Sequence, residues 1–133
     1  MNKEKNNQII ISSCSNHLGG ILGEAILRFF IKEKLIKIND NKYEITKKGW
    51  EELEIIGIDI NKLKLKNEDA ANICYESNHG IQYEHIGSYL GDLLTKRMIE
   101  LKWLTKKDKK EFEITEKGFS GLETMGIRIR SIL

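Results

Sequence analysis

Apolar side chains recur at helical spacing in two stretches of the chain, residues 18–35 and 84–102. In the first stretch Leu22, Ile26 and Phe30 fall on one face, and polar side chains occupy the positions between them. The second stretch has the same spacing. The pattern predicts two amphipathic helices, each with one buried face.

Alternation of apolar and polar residues follows each predicted helix. Residues 35–38 and 42–45 alternate on either side of a short turn of asparagine and aspartate. Residues 103–105 and 111–114 do the same on either side of the lysine-rich segment 106–110. Because a period of two is typical of half-buried strands, both regions predict β-hairpins.

A Thr-x-x-Gly motif comes directly after each predicted hairpin, at Thr46 and Thr115. The threonine hydroxyl is suited to cap a following helix, and the glycine gives room for that helix to pack near the hairpin. Gly57 is suited to end the first of these closing helices. Residues 59–70 are predicted to be a connector, and we expect an additional helix at about residues 67–77.

The chain also matches itself over two blocks. His17-Leu-Gly-Gly-Ile-Leu-Gly-Glu aligns with His85-Ile-Gly-Ser-Tyr-Leu-Gly-Asp. After a one-residue insertion, Tyr43-Glu-Ile-Thr-Lys-Lys-Gly-Trp aligns with Phe112-Glu-Ile-Thr-Glu-Lys-Gly-Phe. Two blocks in the same order, separated by one small gap, indicate an internal duplication.

The fold class that follows is α+β, with two tandem winged-helix-like repeats. Each repeat is predicted to consist of a long helix, a β-hairpin wing and a closing helix. The first repeat covers residues 8–60, and the second covers residues 61–133 together with a linker helix. A long helix followed directly by a hairpin is the usual arrangement of a recognition helix and its wing.

Composition limits the kinds of partner. The formal net charge is only +2 in 133 residues, so an anionic partner would have to meet a local basic patch. No apolar run approaches the roughly 20 residues that span a bilayer, and the polar start lacks the apolar core of a secretion signal. We therefore expect no membrane partner and a cytoplasmic location, where the two cysteines would stay reduced.

The stretch Cys14-Ser-Asn-His17-Leu-Gly-Gly-Ile-Leu-Gly, with the hairpin and Ile45-Thr-Lys-Lys-Gly-Trp after it, resembles part of a known family. It is similar to the C-terminal half of longer ArsR-type winged-helix transcriptional regulators, which carry Cys-Tyr-Asp-His-Leu-Ala-Gly-x-Leu-Gly and then Leu-Thr-x-x-Gly. Cys74-Tyr-Glu-Ser and His85-Ile-Gly-Ser stand where those regulators have a second such stretch. The resemblance implies the fold and a regulatory function. The N-terminal helix-turn-helix domain of those regulators has no counterpart in this sequence.

Basic residues on the long helices and the second hairpin are the candidate DNA contacts, because Lys and Arg reach phosphates. Glu24 and Asp92 oppose this interpretation, since a carboxylate near the start of a recognition helix repels phosphate. A solvated hairpin tip explains the lysine-rich segment equally well. The candidates are Arg28, Lys32, Lys96, Arg97, Lys106, Lys107, Lys109 and Lys110.

Two cysteine and histidine pairs form a candidate metal or sensor site: Cys14 with His17, and Cys74 with His85. Thiolate and imidazole are natural ligands of zinc and other soft metals. The spacing differs between the pairs, however, and no paired Cys-x-x-Cys motif is present. Packing in the core is the alternative interpretation, and no dedicated cofactor motif is found.

Other function classes receive less support from the sequence. No nucleophile elbow, P-loop or dinucleotide fingerprint occurs, so an enzyme is not expected. A homodimer is a candidate assembly, and a small-molecule effector is a candidate partner. The alternative function is an effector-sensing, metal-sensing or protein-interaction module that does not bind DNA. The aromatic residues that could line an effector pocket, or else pack in the core, are Phe29, Phe30, Trp50, Trp103 and Phe119.

Overall fold

The order of elements along the chain is used twice: a β-hairpin, a long helix, a second β-hairpin, a closing helix and a short helix. The computed structural model describes residues 10–14, 17–40, 42–65, 72–78, 81–108 and 111–132. The first half contains β1 (Ile10–Cys14), β2 (His17–Leu18), α1 (Gly20–Lys32), β3 (Ile36–Asn39), β4 (Lys42–Ile45), α2 (Lys47–Ile55) and α3 (Ile60–Leu65). The second half contains β5 (Ile73–Asn78), β6 (Ile81–Ile86), α4 (Ser88–Glu100), β7 (Leu104–Asp108), β8 (Glu111–Ile114), α5 (Glu116–Met125) and a 3-10 helix (Ile129–Ile132).

This mixture of helices and small antiparallel hairpins confirms the α+β class. The two long helices and both hairpins that follow them lie close to their predicted positions. None of the helices in the described parts of the chain is long and apolar enough to cross a membrane.

Two predicted boundaries are wrong. The helix expected at residues 67–77 is contradicted over its described part, because residues 73–77 lie in β5. The helix expected from residue 84 begins at Ser88, and residues 84–86 belong to β6. The reason is the pairing of β5 with β6 along six residues, which uses the main-chain groups that a helix would need.

The two halves interlock through their strands. β1 of the first half pairs with β8 of the second, which gives a four-stranded antiparallel sheet in the order β2-β1-β8-β7. On the other side a bridge between Lys42 and Asn72 brings the start of the second half to β4. In addition, β6 packs along α1, and β2 packs against α4. Each first hairpin thus lies against the long helix of the other half.

A single hydrophobic cluster draws on both halves, so the core is shared. Burial of large side chains is the main stabilising contribution to such a fold. Its most deeply buried apolar side chains are Leu22, Leu27, Leu53, Leu63, Leu90, Leu122 and Ile129.

Both closing helices begin in the same way, and this confirms the two predicted caps. The hydroxyl of Thr46 accepts a hydrogen bond from the main-chain N–H of Gly49 at 3.0 Å and donates one to the carbonyl of Lys34 at 2.7 Å. The hydroxyl of Thr115 accepts from Gly118 N–H at 2.9 Å. Each threonine therefore satisfies an otherwise unpaired helical N–H.

The glycine of each Thr-x-x-Gly motif lies directly against the end of the preceding helix. A Cβ atom at Gly49 would lie 2.1 Å from the carbonyl oxygen of Leu35, and one at Gly118 would lie 2.3 Å from that of Trp103. No side chain fits at these distances. The motif thus fixes both the start of the closing helix and its close approach to the long helix and hairpin.

Candidate nucleic-acid interface

The exposed face of α1 carries two of the predicted DNA-contacting residues. The guanidinium of Arg28 lies 3.1 Å from the carboxylate of Glu24, one turn earlier, and the Arg28 side chain is 64% exposed. Lys32 is also exposed and makes no ion pair with any residue that the structure describes. Because a surface pair of this kind breaks at little cost, both side chains can reach an anion.

On α4 the two predicted residues differ in their surroundings. Lys96 is exposed to solvent. Arg97 is half-buried, and its Nε donates a hydrogen bond to the carbonyl of Ile56 at 2.7 Å. Its Nη1 lies 3.4 Å from the carboxylate of Glu100. Arg97 therefore ties α4 to the end of α2 in the other half, which leaves only the N–H groups of its Nη atoms for contact with a phosphate.

The hairpin of β7 and β8 holds the basic residues of the second predicted wing. The ammonium group of Lys106 lies 5.7 Å from the centre of the Phe112 ring, and that of Lys107 lies 3.7 Å from the carboxylate of Glu113. Both lysines are exposed. The other two predicted contacts, Lys109 and Lys110, lie outside the described residues.

The position of β7 gives its lysines a second explanation. β7 is the outermost strand of the four-stranded sheet, on the side opposite β2. Lysines on such edges commonly prevent pairing with strands of other molecules. The cluster is compatible with phosphate contact and with edge protection.

The cysteine and histidine pairs occupy corresponding places in the two first hairpins. Cys14 and His17 are Cα partners across β1 and β2, and Cys74 and His85 are Cα partners across β5 and β6. The unequal sequence spacing arises because the second hairpin is longer. His85 is fully buried and Cys74 is half-buried.

A metal centre requires more ligands than one such pair supplies. Within the described part of the chain, no group of three or more histidine, cysteine, aspartate or glutamate side chains is placed to hold a metal ion. The candidate metal or sensor role of the two pairs stays a prediction.

The aromatic residues lie in different environments. Phe30 and Trp103 line a small apolar cavity of about 30 Å³ between α1, α4 and α5, far below the volume of about 300–1,000 Å³ of a typical ligand site. The Trp50 ring lies under the ammonium group of Lys64 at 5.0 Å. Core packing therefore accounts for Phe30 without a ligand, whereas the half-buried Trp103 also lines a second, open groove of about 490 Å³ between α4 and α5.

Sequence reasoning missed one cationic feature. A groove between α1 and the 3-10 helix brings Arg28 and Lys32 next to Arg128. The charge of Arg128 is visible in the sequence, but no local pattern indicates that it lies beside α1. Continuing the alignment of the Tyr43 and Phe112 blocks pairs Gly57 with Gly126, and this match indicates a structural role for the turn after each closing helix.

Comparison with known proteins shows similarity to a bacterial regulator. The chain is 26% identical over 117 residues to an uncharacterized HTH-type transcriptional regulator, YdfF, of Bacillus subtilis strain 168. The match covers 87% of this chain and 51% of the relative, so the chain spans about half the length of that protein. No family model matches the chain, and no solved structure matches it.

Proposed function

We propose that the protein acts as a transcriptional regulator and contacts DNA phosphates through the β7–β8 hairpin and the exposed faces of α1 and α4. The similarity to a regulator of the HTH type carries this proposal. The exposed cations Lys32 and Lys96 on the long helices and Lys106 and Lys107 on the hairpin support it, since such side chains bind phosphates.

The repeated element order supports a more specific form of the proposal. The two halves would be tandem winged-helix-like repeats that arose by duplication, with bounds near residues 8–60 and 61–133. They would correspond to the C-terminal half of an ArsR-type regulator. In each half the long helix would be the recognition helix and the following hairpin the wing, with the shared threonine cap fixing the angle between them.

Binding of the full chain to a mixed-sequence DNA duplex over a series of salt concentrations tests the proposal. The native protein is compared with a variant in which Lys106, Lys107, Lys109 and Lys110 are changed to Ala. Each phosphate contact contributes about 0.9 to the slope of log affinity against log salt. We expect the variant to bind more weakly and with a shallower slope.

A charge-matched control separates local contact from net charge. Lys47, Lys48, Lys62 and Lys117 are exposed lysines on the shorter helices, and changing all four to Ala removes the same charge. If both variants lose affinity equally, the hairpin has no special role. If the native protein does not bind at low salt, DNA contact by this chain is wrong.

A second candidate is a module that binds an effector, a metal or another protein and never contacts DNA. The inward hydrogen bond of Arg97 and the carboxylate of Glu24 beside Arg28 favour it, because both reduce the positive charge that the long helices offer to phosphate. The DNA titration distinguishes the two candidates. Homodimerisation stays a prediction, which sedimentation of the full chain at several concentrations tests.

A further inference from the structure

A groove of about 710 Å³ lies between α1 and the 3-10 helix. Its floor includes the half-buried ring of Phe29 and the buried side chain of Ile127. Its rim carries the cations Arg28, Lys32 and Arg128. An apolar floor beside converging cations is suited to a ligand that has a hydrocarbon body and a negative charge.

The charges around the groove leave an excess of cations. The carboxylate of Glu33 also lines it, but this group lies 3.7 Å from the ammonium of Lys48 on α2. Lys32 and Arg128 make no ion pair with any described residue. Three cations and one carboxylate therefore line the groove, which leaves two positive charges in excess.

The corresponding place in the other half is already filled. There Arg97 lies over Gly57, and a Cβ atom at this glycine would be 2.7 Å from the guanidinium. Arg97 also donates to the carbonyl of Ile56. In the groove of α1 the corresponding residues are Phe29 and Gly126. The phenyl ring of Phe29 has no charged or hydrogen-bonding group to take the place of the Arg97 guanidinium.

The charges at the two places are also opposite. Lys32 corresponds to Glu100, and Arg128 corresponds to Asp59. One place thus contains the guanidinium of Arg97 with the carboxylate of Glu100 3.4 Å away, while the other is open and has more cations than carboxylates in its lining. The difference favours an external anion as the occupant of the open groove.

We propose that this groove binds a small organic acid with an aromatic or branched aliphatic body. The body would lie on Phe29 and Ile127, and the carboxylate would lie between Lys32 and Arg128. The site does not depend on contact with DNA.

Titration of the full chain with phenylacetate, followed by the NMR signals of backbone amides, tests the proposal in the absence of DNA. We expect saturable shifts at α1 and at residues 126–131. Phenethyl alcohol has the same ring without the charge, and inorganic phosphate has charge without the ring. Each is expected to bind at least about tenfold more weakly than phenylacetate, because the alcohol lacks the negative charge and phosphate lacks the apolar ring.

Charge-reversal variants give the groove the charges of its counterpart. Lys32→Glu and Arg128→Asp alter exposed side chains, so the fold should be retained, and thermal melting checks this. Each should weaken phenylacetate binding roughly tenfold, since an attraction becomes a repulsion at short range. Lys62→Glu on α3 makes the same charge change at an exposed lysine that does not line the groove, and it should leave binding unchanged. Ala25→Leu, which introduces the larger residue found at position 93, should obstruct the groove.

The outcomes separate the explanations. Loss of binding in both charge reversals, with the control unaffected, supports the site. The proposal is overturned if phenylacetate produces no saturable shifts in the native protein, or if it binds the double variant Lys32→Glu/Arg128→Asp as tightly as the native protein. Equal binding of phenethyl alcohol would also overturn it, and so would equal binding of phosphate alone. None of these results bears on the DNA titration.

Discussion

Phe29 of α1 and Arg97 of α4 occupy corresponding positions in the two halves, and each packs against a glycine that follows a closing helix. The ring of Phe29 lies 3.2 Å from where a Cβ of Gly126 would be, and the guanidinium of Arg97 lies 2.7 Å from the same point at Gly57. Both glycines have positive φ, +112° and +96°. The backbone arrangement is the same, whereas the side chain that covers it differs in kind.

The difference has consequences for what each contact leaves exposed. An aromatic ring needs no hydrogen-bond partner, so Phe29 covers its glycine and leaves a groove beside it. A guanidinium loses water when it is half-buried and must donate to protein groups instead. Arg97 does so at the carbonyl of Ile56. One contact therefore joins the halves by a polar link, and the other offers a surface to a ligand.

A second pair of positions shows size compensation. Trp103 replaces the smaller Leu35 at the end of the long helix, and its indole lies 2.2 Å from where a Cβ of Gly121 would be. At the position of Gly121 the first half has Glu52, an exposed residue. A larger side chain on one element is thus matched by the absence of one on its neighbour, as close packing requires.

The largest effect should come from the features that both halves share. Gly49→Ala and Gly118→Ala each place a methyl group against a main-chain carbonyl that cannot rotate away. We expect each to lower the free energy of unfolding by about 1–3 kcal/mol, as overpacking does. Chemical denaturation measures this. If Gly49→Ala lowered the free energy of unfolding and Gly118→Ala did not, the contacts of the two glycines would not be equivalent.

The second-largest effect on stability should come from the hydrogen bond of Arg97, which has no counterpart at Phe29 in the other half. Arg97→Phe introduces the residue type of the other half and removes the donor to Ile56. A hydrogen bond from a charged group contributes about 1.5–3 kcal/mol, and partial exposure of Arg97 places the expected loss near the lower end. Phe29→Leu, which keeps an apolar cover, is the control. An unchanged unfolding free energy for Arg97→Phe would mean that the polar link adds no stability.

The capping threonines should give a smaller, symmetrical effect. Thr46→Val and Thr115→Val keep the side-chain shape but remove the hydroxyl that accepts from Gly49 or Gly118. Each should lower the free energy of unfolding by about 1 kcal/mol. Since the hydroxyls of Thr46 and Thr115 share no hydrogen-bond partner, the double variant should show the sum. A clear departure from additivity would indicate that the closing helices are coupled.

The sequence predicted contacts between residues that are close together along the chain, and it did not predict pairing between distant segments. The threonine caps connect residues three apart, and the wing hairpins connect neighbouring segments, so pattern and spacing were sufficient for both. The helix expected at residues 67–77 was wrong because β5 is specified by its pairing with β6, and no such hairpin was expected. The shared sheet depends on pairing of Ile11 with Phe112, which no local pattern reveals.

The candidate site shows the same limit. Arg28, Lys32 and Lys96 are exposed on helices whose polar faces were visible in the spacing. The inward direction of Arg97 depends on a carbonyl in the other half, so its sequence neighbourhood gave no sign of it. The cysteine and histidine of each pair are cross-strand partners in the first hairpin of their half. Because the two pairs have different spacing in the sequence, only the register of the hairpins shows that they occupy equivalent places.

The smallest effect on stability should come from removing the surface ion pairs of the two long helices. The two removals should instead differ in their effect on phenylacetate binding. Glu24→Gln removes the partner of Arg28, and Glu100→Gln removes a partner of Arg97. Each exposed pair should change the free energy of unfolding by less than about 0.5 kcal/mol. Glu24→Gln releases the Arg28 guanidinium beside the groove, so it should strengthen phenylacetate binding about twofold to fivefold. Glu100→Gln should not, because Arg97 stays hydrogen-bonded to Ile56. If both variants strengthened phenylacetate binding equally, the affinity would depend on the net charge of the protein and the groove would not be the binding site.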